Sequence, residues 1–123
     1  MKVLVIDDDA DVRLIACLTL RLMGGMVVTE ATGGADGVRK ALDDVPDVIL
    51  LDMMMPTMDG AATLAALRAE AATATVPVIF LTAKVVGVEL ARLKGLGAVG
   101  VLTKPFDPRT LAADVRALLA PKI

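Results

Sequence analysis

The segment VILLD, residues 48–52, joins four uninterrupted apolar residues to a single aspartate. A run of this kind, rich in β-branched residues and too short for a helix, is typical of a strand buried on both faces of a parallel sheet. The aspartate at its end would be held rigidly at one edge of that sheet. The segment therefore predicts a fold class and a place for chemistry.

Comparable apolar runs lie on both sides of this segment, at residues 2–6, 26–29, 77–81 and 99–102. Between the runs, apolar side chains recur at helical spacing, as they do across residues 12–22. The glycine pair 24–25 is typical of a helix end, and Asp107 followed by Pro108 predicts the start of the last helix. Strands and helices therefore alternate as (βα)5.

This alternation predicts an α/β protein with a doubly wound, five-stranded parallel sheet. Right-handed crossovers favour the flavodoxin-like strand order 2-1-3-4-5. Ligands of such sheets bind at the carboxyl ends of the strands. We find no repeat or linker, and we expect residues 1–123 to form one domain.

Polar residues follow four of the five predicted strands. Asp7 and Asp8 follow the first, Asp52 ends the third, and Thr82 and Lys104 follow the fourth and fifth. Each alone has an ordinary structural explanation, such as a helix cap or a surface charge. Because parallel strands share one carboxyl edge, all five side chains are predicted to converge there.

Neighbouring carboxylates repel one another, and a hard divalent cation among them relieves that repulsion. Mg²⁺ is the obvious candidate because it prefers oxygen ligands and shares its coordination with phosphate oxygens. Asp52 would then serve as a carboxylate nucleophile toward a phosphoryl donor. The Lys104 ammonium would neutralise charge on the transferred group, and the Thr82 hydroxyl would donate a hydrogen bond to it.

The composition excludes several other functions. A net charge of −2 argues against a sequence-independent grip on nucleic acid. The chain has no histidine and one cysteine, Cys17, so neither a histidine-based site nor an internal disulfide is possible. No apolar run is long enough for a membrane span or a signal peptide. We expect a cytoplasmic protein that binds neither membranes nor DNA directly.

The sequence also resembles a known family. Four ordered blocks carry the resemblance, namely Val5-Ile6-Asp7-Asp8-Asp9, residues 51–60 (LDMMMPTMDG), Leu81-Thr82-Ala83 and Lys104-Pro105-Phe106. At their observed spacing they are similar to the blocks of response-regulator receiver domains, including the stand-alone chemotaxis response regulator. The similarity extends over essentially the whole chain.

The resemblance implies a role for each block. Asp7, Asp8 and Asp52 would bind Mg²⁺ together with the backbone carbonyl of Met54. Asp52 would be phosphorylated, Thr82 and Lys104 would contact the phosphoryl group, and the Lys104-Pro105 bond would be cis.

The resemblance further implies a sensor histidine kinase or phosphotransfer protein as the phosphoryl donor, and an output partner bound according to phosphorylation state. Such a domain catalyses only its own phosphorylation and dephosphorylation, and it is a monomer or a weak phosphorylation-dependent dimer.

Three positions bear on how long the phosphoryl group would last and on how the domain would switch. Residues two after the phosphoacceptor and two after the threonine tune hydrolysis in this family, and here they are Met54 and Lys84. Methionine cannot orient an attacking water, so we expect a long-lived phosphoryl group. In this family an aromatic residue often lies three positions before the motif lysine, whereas here Val101 occupies that position before Lys104. We therefore expect the switch to act through residues 83–87 and the helix that follows.

Competing interpretations are weaker. A haloacid-dehalogenase-type phosphatase would need a second aspartate where Met54 lies. A flavin mononucleotide site would need a phosphate-binding loop where Asp7, Asp8 and Asp9 would instead repel phosphate. A pseudo-receiver that only binds partners stays open, although the intact acidic, threonine and lysine set counts against it.

The remaining conspicuous side chains are interpreted as structural. The run Met53-Met54-Met55 is more typical of core or loop packing than of a soft-metal site. Cys17 is predicted to be an inert buried thiol. The two aromatic residues, Phe80 and Phe106, are predicted to lie in the core.

Overall fold

The computed structural model describes residues 1–83 and 87–120. The strands are β1 (Lys2–Ile6), β2 (Val27–Ala31), β3 (Val48–Asp52), β4 (Val78–Ala83) and β5 (Gly100–Lys104). The helices are α1 (Ala10–Gly24), α2 (Gly34–Asp43), α3 (Gly60–Ala69), α4 (Val88–Gly95) and α5 (Leu111–Leu119).

All strand pairs are parallel, and the strand order is β2-β1-β3-β4-β5. The predicted doubly wound α/β fold with order 2-1-3-4-5 is therefore confirmed. Every residue of the central strand β3 is buried, as the uninterrupted apolar run predicted. Strands β4 and β5 extend further than their apolar runs indicated, because Thr82 and Lys104 continue the hydrogen-bonded ladder between them.

Two hydrophobic cores cover the faces of the sheet. On one face, Cys17 and Leu20 of α1 pack with Leu111 and Val115 of α5. On the other face, residues of α2, α3 and α4 pack against the sheet around Phe80. Phe80 is fully buried and Phe106 is partly buried against the first core, so both aromatic residues pack as predicted.

The ends of α1 follow from its sequence. The Asp9 carboxylate accepts hydrogen bonds from the backbone N–H groups of Asp11 and Val12, which caps the helix immediately after the acidic run. At the other end, Gly25 adopts φ +63°, a left-handed conformation that favours glycine. α1 therefore begins directly at the carboxyl end of the sheet.

The predicted start of the last helix was wrong by about one turn. Asp107 does not cap α5, which begins at Leu111. The Asp107 carboxylate instead accepts a hydrogen bond from the backbone N–H of Arg109, and the Asp107 carbonyl accepts one from the backbone N–H of Thr110. These contacts form a separate turn before the helix.

Among residues 1–83 and 87–120, none of the helices has both the length and the apolar character needed to cross a bilayer.

Cys17 provides a test of the packing. Its side chain is fully buried, and burial raises the pKa of its thiol to about 11. At pH 8 only about one thiol in a thousand would be ionised. We expect a disulfide reagent to modify the native protein far more slowly than the protein in denaturant. Equal modification rates in the two conditions would show that α1 does not pack as described.

Candidate functional site

Three of the predicted residues form a hydrogen-bonded cluster at the carboxyl edge of the sheet. Lys104 at the end of β5 places its Nζ atom 2.7 Å from Asp7 Oδ2 and 3.1 Å from Asp52 Oδ1. Asp7 follows β1 and is fully buried, whereas Asp52 ends β3 and is 4% exposed. The strand order places β1 beside β3, so these two carboxylates are neighbours.

Asp8 joins the two buried acids. One carboxylate oxygen from each of Asp7, Asp8 and Asp52 can be chosen so that all three lie within 4.8 Å of one another. Asp8 is solvent-exposed, which leaves the cluster open on one side. Three hard oxygen donors with an open side suit Mg²⁺, which binds few protein carboxylates and keeps several waters. The donor set therefore fits the predicted ion.

Burial shifts the protonation of Asp52. Burial and then the neighbouring Asp7 charge raise the pKa of Asp52 to about 6, while Lys104 and the Met54 N–H partly oppose that rise. For Lys104, burial lowers the pKa, but its hydrogen bonds and attraction to Asp7 and Asp52 outweigh this effect and raise it. Lys104 therefore carries the positive charge that holds the two acids together.

Thr82 lies at the same edge. It is buried on β4, one residue beyond the Leu81 that pairs with Asp52 in the ladder. Val101, on strand β5, is partly buried and packs against the hydrophobic core. Lys84 and most of the predicted switch segment fall at residues 84–86, outside the described residues.

The loop that leaves β3 is held close to the site. Met53 and Met55 are buried, whereas the Met54 side chain is 75% exposed and its backbone N–H donates to Asp52 Oδ1 at 3.2 Å. A Cβ atom at Gly60 would lie 2.8 Å from the Asp52 carbonyl oxygen. Only glycine therefore fits where the loop passes back against the end of β3. On β5, the Lys104-Pro105 bond is cis, as the resemblance implied.

Sequence reasoning missed Arg13. Its Nη1 atom donates a hydrogen bond to the carbonyl of Asp7 at 2.7 Å, and its Nε atom donates to Glu30 at 3.1 Å. The one sequence signal was its position in the first turn of α1, the helix that follows the acidic run.

These features define a class of protein, an α/β domain with a buried strand-end aspartate, flanking acids and a paired lysine. The family model of the response regulator receiver domain matches residues 3–116.

Curated relatives of this chain support the same family. The chain is 39% identical over 120 residues to the DNA-binding dual master transcriptional regulator RpaA of Synechocystis, covering 96% of this chain and 48% of that protein. It is 36% identical to the phosphate regulon transcriptional regulatory protein PhoB of Escherichia coli, covering 96% of this chain and 51% of that protein. The chain thus spans about half the length of these relatives.

Solved structures agree as well. The chemotaxis response regulator CheY4 of Vibrio cholerae superposes with a TM-score of 0.88 at 32% identity, covering 95% of this chain and 97% of that one. The receiver domain of the Francisella response regulator 1452 gives a TM-score of 0.84 at 32% identity, covering 95% and 94%. The chain belongs to the response regulator receiver domain family, the phosphorylatable aspartate type of two-component signalling.

The raised pKa of Asp52 predicts a pH-dependent effect of Asp52→Asn in the presence of a chelator. The unfolded carboxyl ionises near 3.8 and the folded one near 6, so ionisation costs the wild type stability as pH rises from 4 to 7. The amide never ionises and keeps an oxygen acceptor for Lys104. We expect the free energy of unfolding of Asp52→Asn, relative to that of wild type, to rise by roughly 2 to 3 kcal/mol between pH 4 and pH 7. Urea unfolding measures this difference.

Asp43→Asn on the surface of α2 is the matched control, since Asp43 is exposed at the end of that helix. A stability difference between Asp52→Asn and wild type that stays constant from pH 4 to pH 7 would contradict the described environment of Asp52.

Proposed function

We propose that Asp52 is the phosphoacceptor of this receiver domain. The observation that supports this most strongly is its position. It is the carboxylate at the end of the buried central strand, and it contacts both Lys104 and the Met54 N–H. In the reaction, an Asp52 carboxylate oxygen forms a bond to phosphorus as the bond between phosphorus and the donor breaks, giving an aspartyl phosphate.

Asp7, Asp8 and Asp52 would hold Mg²⁺ in this proposal, together with the Met54 backbone carbonyl that the family resemblance adds. When bound, Mg²⁺ supplies positive charge near the oxygens of the transferred group. The three carboxylates lie close enough to share one ion.

Lys104 and Thr82 would complete the site. Lys104 already donates to Asp7 and lies 3.1 Å from Asp52, so its ammonium can neutralise charge that develops at Asp52 without a large movement. The hydroxyl of Thr82 would donate a hydrogen bond to the phosphoryl group from the next strand.

The phosphoryl donor would be a sensor histidine kinase or a phosphotransfer protein, and phosphorylation would change the affinity for an output partner. In this proposal residues 1–123 form one cytoplasmic receiver domain that does not itself bind DNA. It catalyses only its own phosphorylation and dephosphorylation, as a monomer or a weak phosphorylation-dependent dimer.

The phosphorylation proposal is tested with acetyl phosphate and intact mass spectrometry. Wild type should gain the mass of one phosphoryl group in the presence of Mg²⁺, and Asp52→Asn should gain none. The exposed variant Asp43→Asn is the matched control and should react like wild type. A full mass shift in Asp52→Asn, or an undiminished shift in wild type with excess chelator, would contradict the proposal. A wild type that takes up no phosphoryl group would favour a pseudo-receiver.

The lifetime of the phosphoryl group depends on Met54 in this proposal. The Met54 side chain is exposed beside the site and has no group that orients an attacking water. We expect Met54→Asn to release phosphate several-fold faster, because an amide can hold a water near the phosphorus. Phosphate release from purified phosphoprotein measures this. Unchanged or slower release would show that the Met54 side chain does not influence hydrolysis.

A further inference from the structure

Arg13 has contacts that the family blocks do not explain. It lies in α1, and its side chain is only 15% exposed. Its guanidinium donates to the Asp7 carbonyl and to the Glu30 carboxylate on β2. One side chain thereby links the acidic turn after β1, the helix that follows it and the edge strand of the sheet.

The bond from Arg13 acts on the peptide unit that joins the two acids. Because a peptide is planar, a bond that orients the Asp7 carbonyl also orients the Asp8 nitrogen and sets the direction in which Asp8 leaves the sheet. The Asp7 N–H donates to the Ala31 carbonyl at 3.2 Å, so the preceding peptide is also tied to β2. The backbone that leads into Asp8 is therefore fixed on both sides of Asp7.

Asp8 depends on this backbone more than the other two acids do. The carboxylate of Asp7 accepts hydrogen bonds from the Asp9 N–H and from Lys104, and that of Asp52 accepts one from the Met54 N–H. Within residues 1–83 and 87–120, the exposed carboxylate of Asp8 accepts no comparable bond. The main chain therefore determines where the Asp8 side chain starts and the direction in which it leaves the backbone.

We propose that Arg13 is a positioning residue for the metal centre, holding the Asp7–Asp8 peptide so that the Asp8 carboxylate meets those of Asp7 and Asp52. This inference rests on the magnesium site of the proposed function. Glu30 orients the guanidinium and balances its charge, so that Arg13 adds little repulsion toward a divalent ion.

Charge and positioning predict opposite results for Arg13→Gln. If Arg13 acted only through its charge, its removal would strengthen Mg²⁺ binding, because one positive charge near the ion is lost. If Arg13 positions the peptide, binding should weaken by about tenfold, the usual effect of losing a residue that orients metal ligands. The direction of the change therefore separates the two roles.

The experiment measures the Kd for Mg²⁺ by isothermal titration calorimetry on the full chain. Arg39→Gln is the matched control, because it changes the net charge equally but removes a partner of Asp36 on α2. We expect its Kd to stay within about twofold of wild type, since a remote charge is screened by salt. Arg13→Lys keeps the positive charge and one donor group. Its affinity for Mg²⁺ should therefore lie between that of Arg13→Gln and that of wild type.

The outcomes separate this inference from the proposed function. A wild type that binds no Mg²⁺ would overturn the metal centre and the role of Arg13 with it. A wild type that binds Mg²⁺, with Arg13→Gln binding equally or more tightly, would overturn the role of Arg13 alone. If circular dichroism shows that Arg13→Gln is unfolded, the Kd of Arg13→Lys decides between the two roles. Charge alone predicts a wild-type Kd for it, and positioning predicts a weaker one.

Discussion

The repulsion between two buried carboxylates, Asp7 and Asp52, is the constraint on which the site depends. The fold places their strands side by side, and burial makes each negative charge costly. Lys104 relieves part of that cost by bonding to Asp7 and approaching Asp52 from a third strand. A divalent ion would relieve more, which connects the stability of the domain to its proposed chemistry.

The parallel sheet brings these groups together from positions far apart in the sequence. Each strand has its carboxyl end at the same edge of the sheet. A polar residue that is ordinary in the sequence therefore becomes part of a site, because the fold places other strand-end polar residues beside it. The helices secure the surrounding loops. Asp9 starts α1 directly after the acids, and Gly60 allows the loop from β3 to return against Asp52.

Much of the fold and of the acidic cluster could be predicted from the sequence, because apolar runs and strand-end polar residues carry a regular signal. The ends of β4 and β5 were less predictable, since Thr82 and Lys104 continue the ladder after the apolar pattern stops. The start of α5 was misplaced because Asp107 forms its own turn. Arg13 was missed because its contacts depend on a long side chain that reaches β2, and the periodicity of apolar residues gives no signal for such a contact.

The central claim is that the acids after β1 and at the end of β3 bind a single divalent cation. Titration of Mn²⁺ into ¹⁵N-labelled protein tests it directly, because a paramagnetic ion broadens the amide signals nearest to it. The account predicts that the first signals to broaden are those around Asp7, Asp8 and Asp52, and that excess Mg²⁺ restores them. Broadening that begins at other acids such as Asp43 and Asp44, or that Mg²⁺ does not reverse, would contradict it.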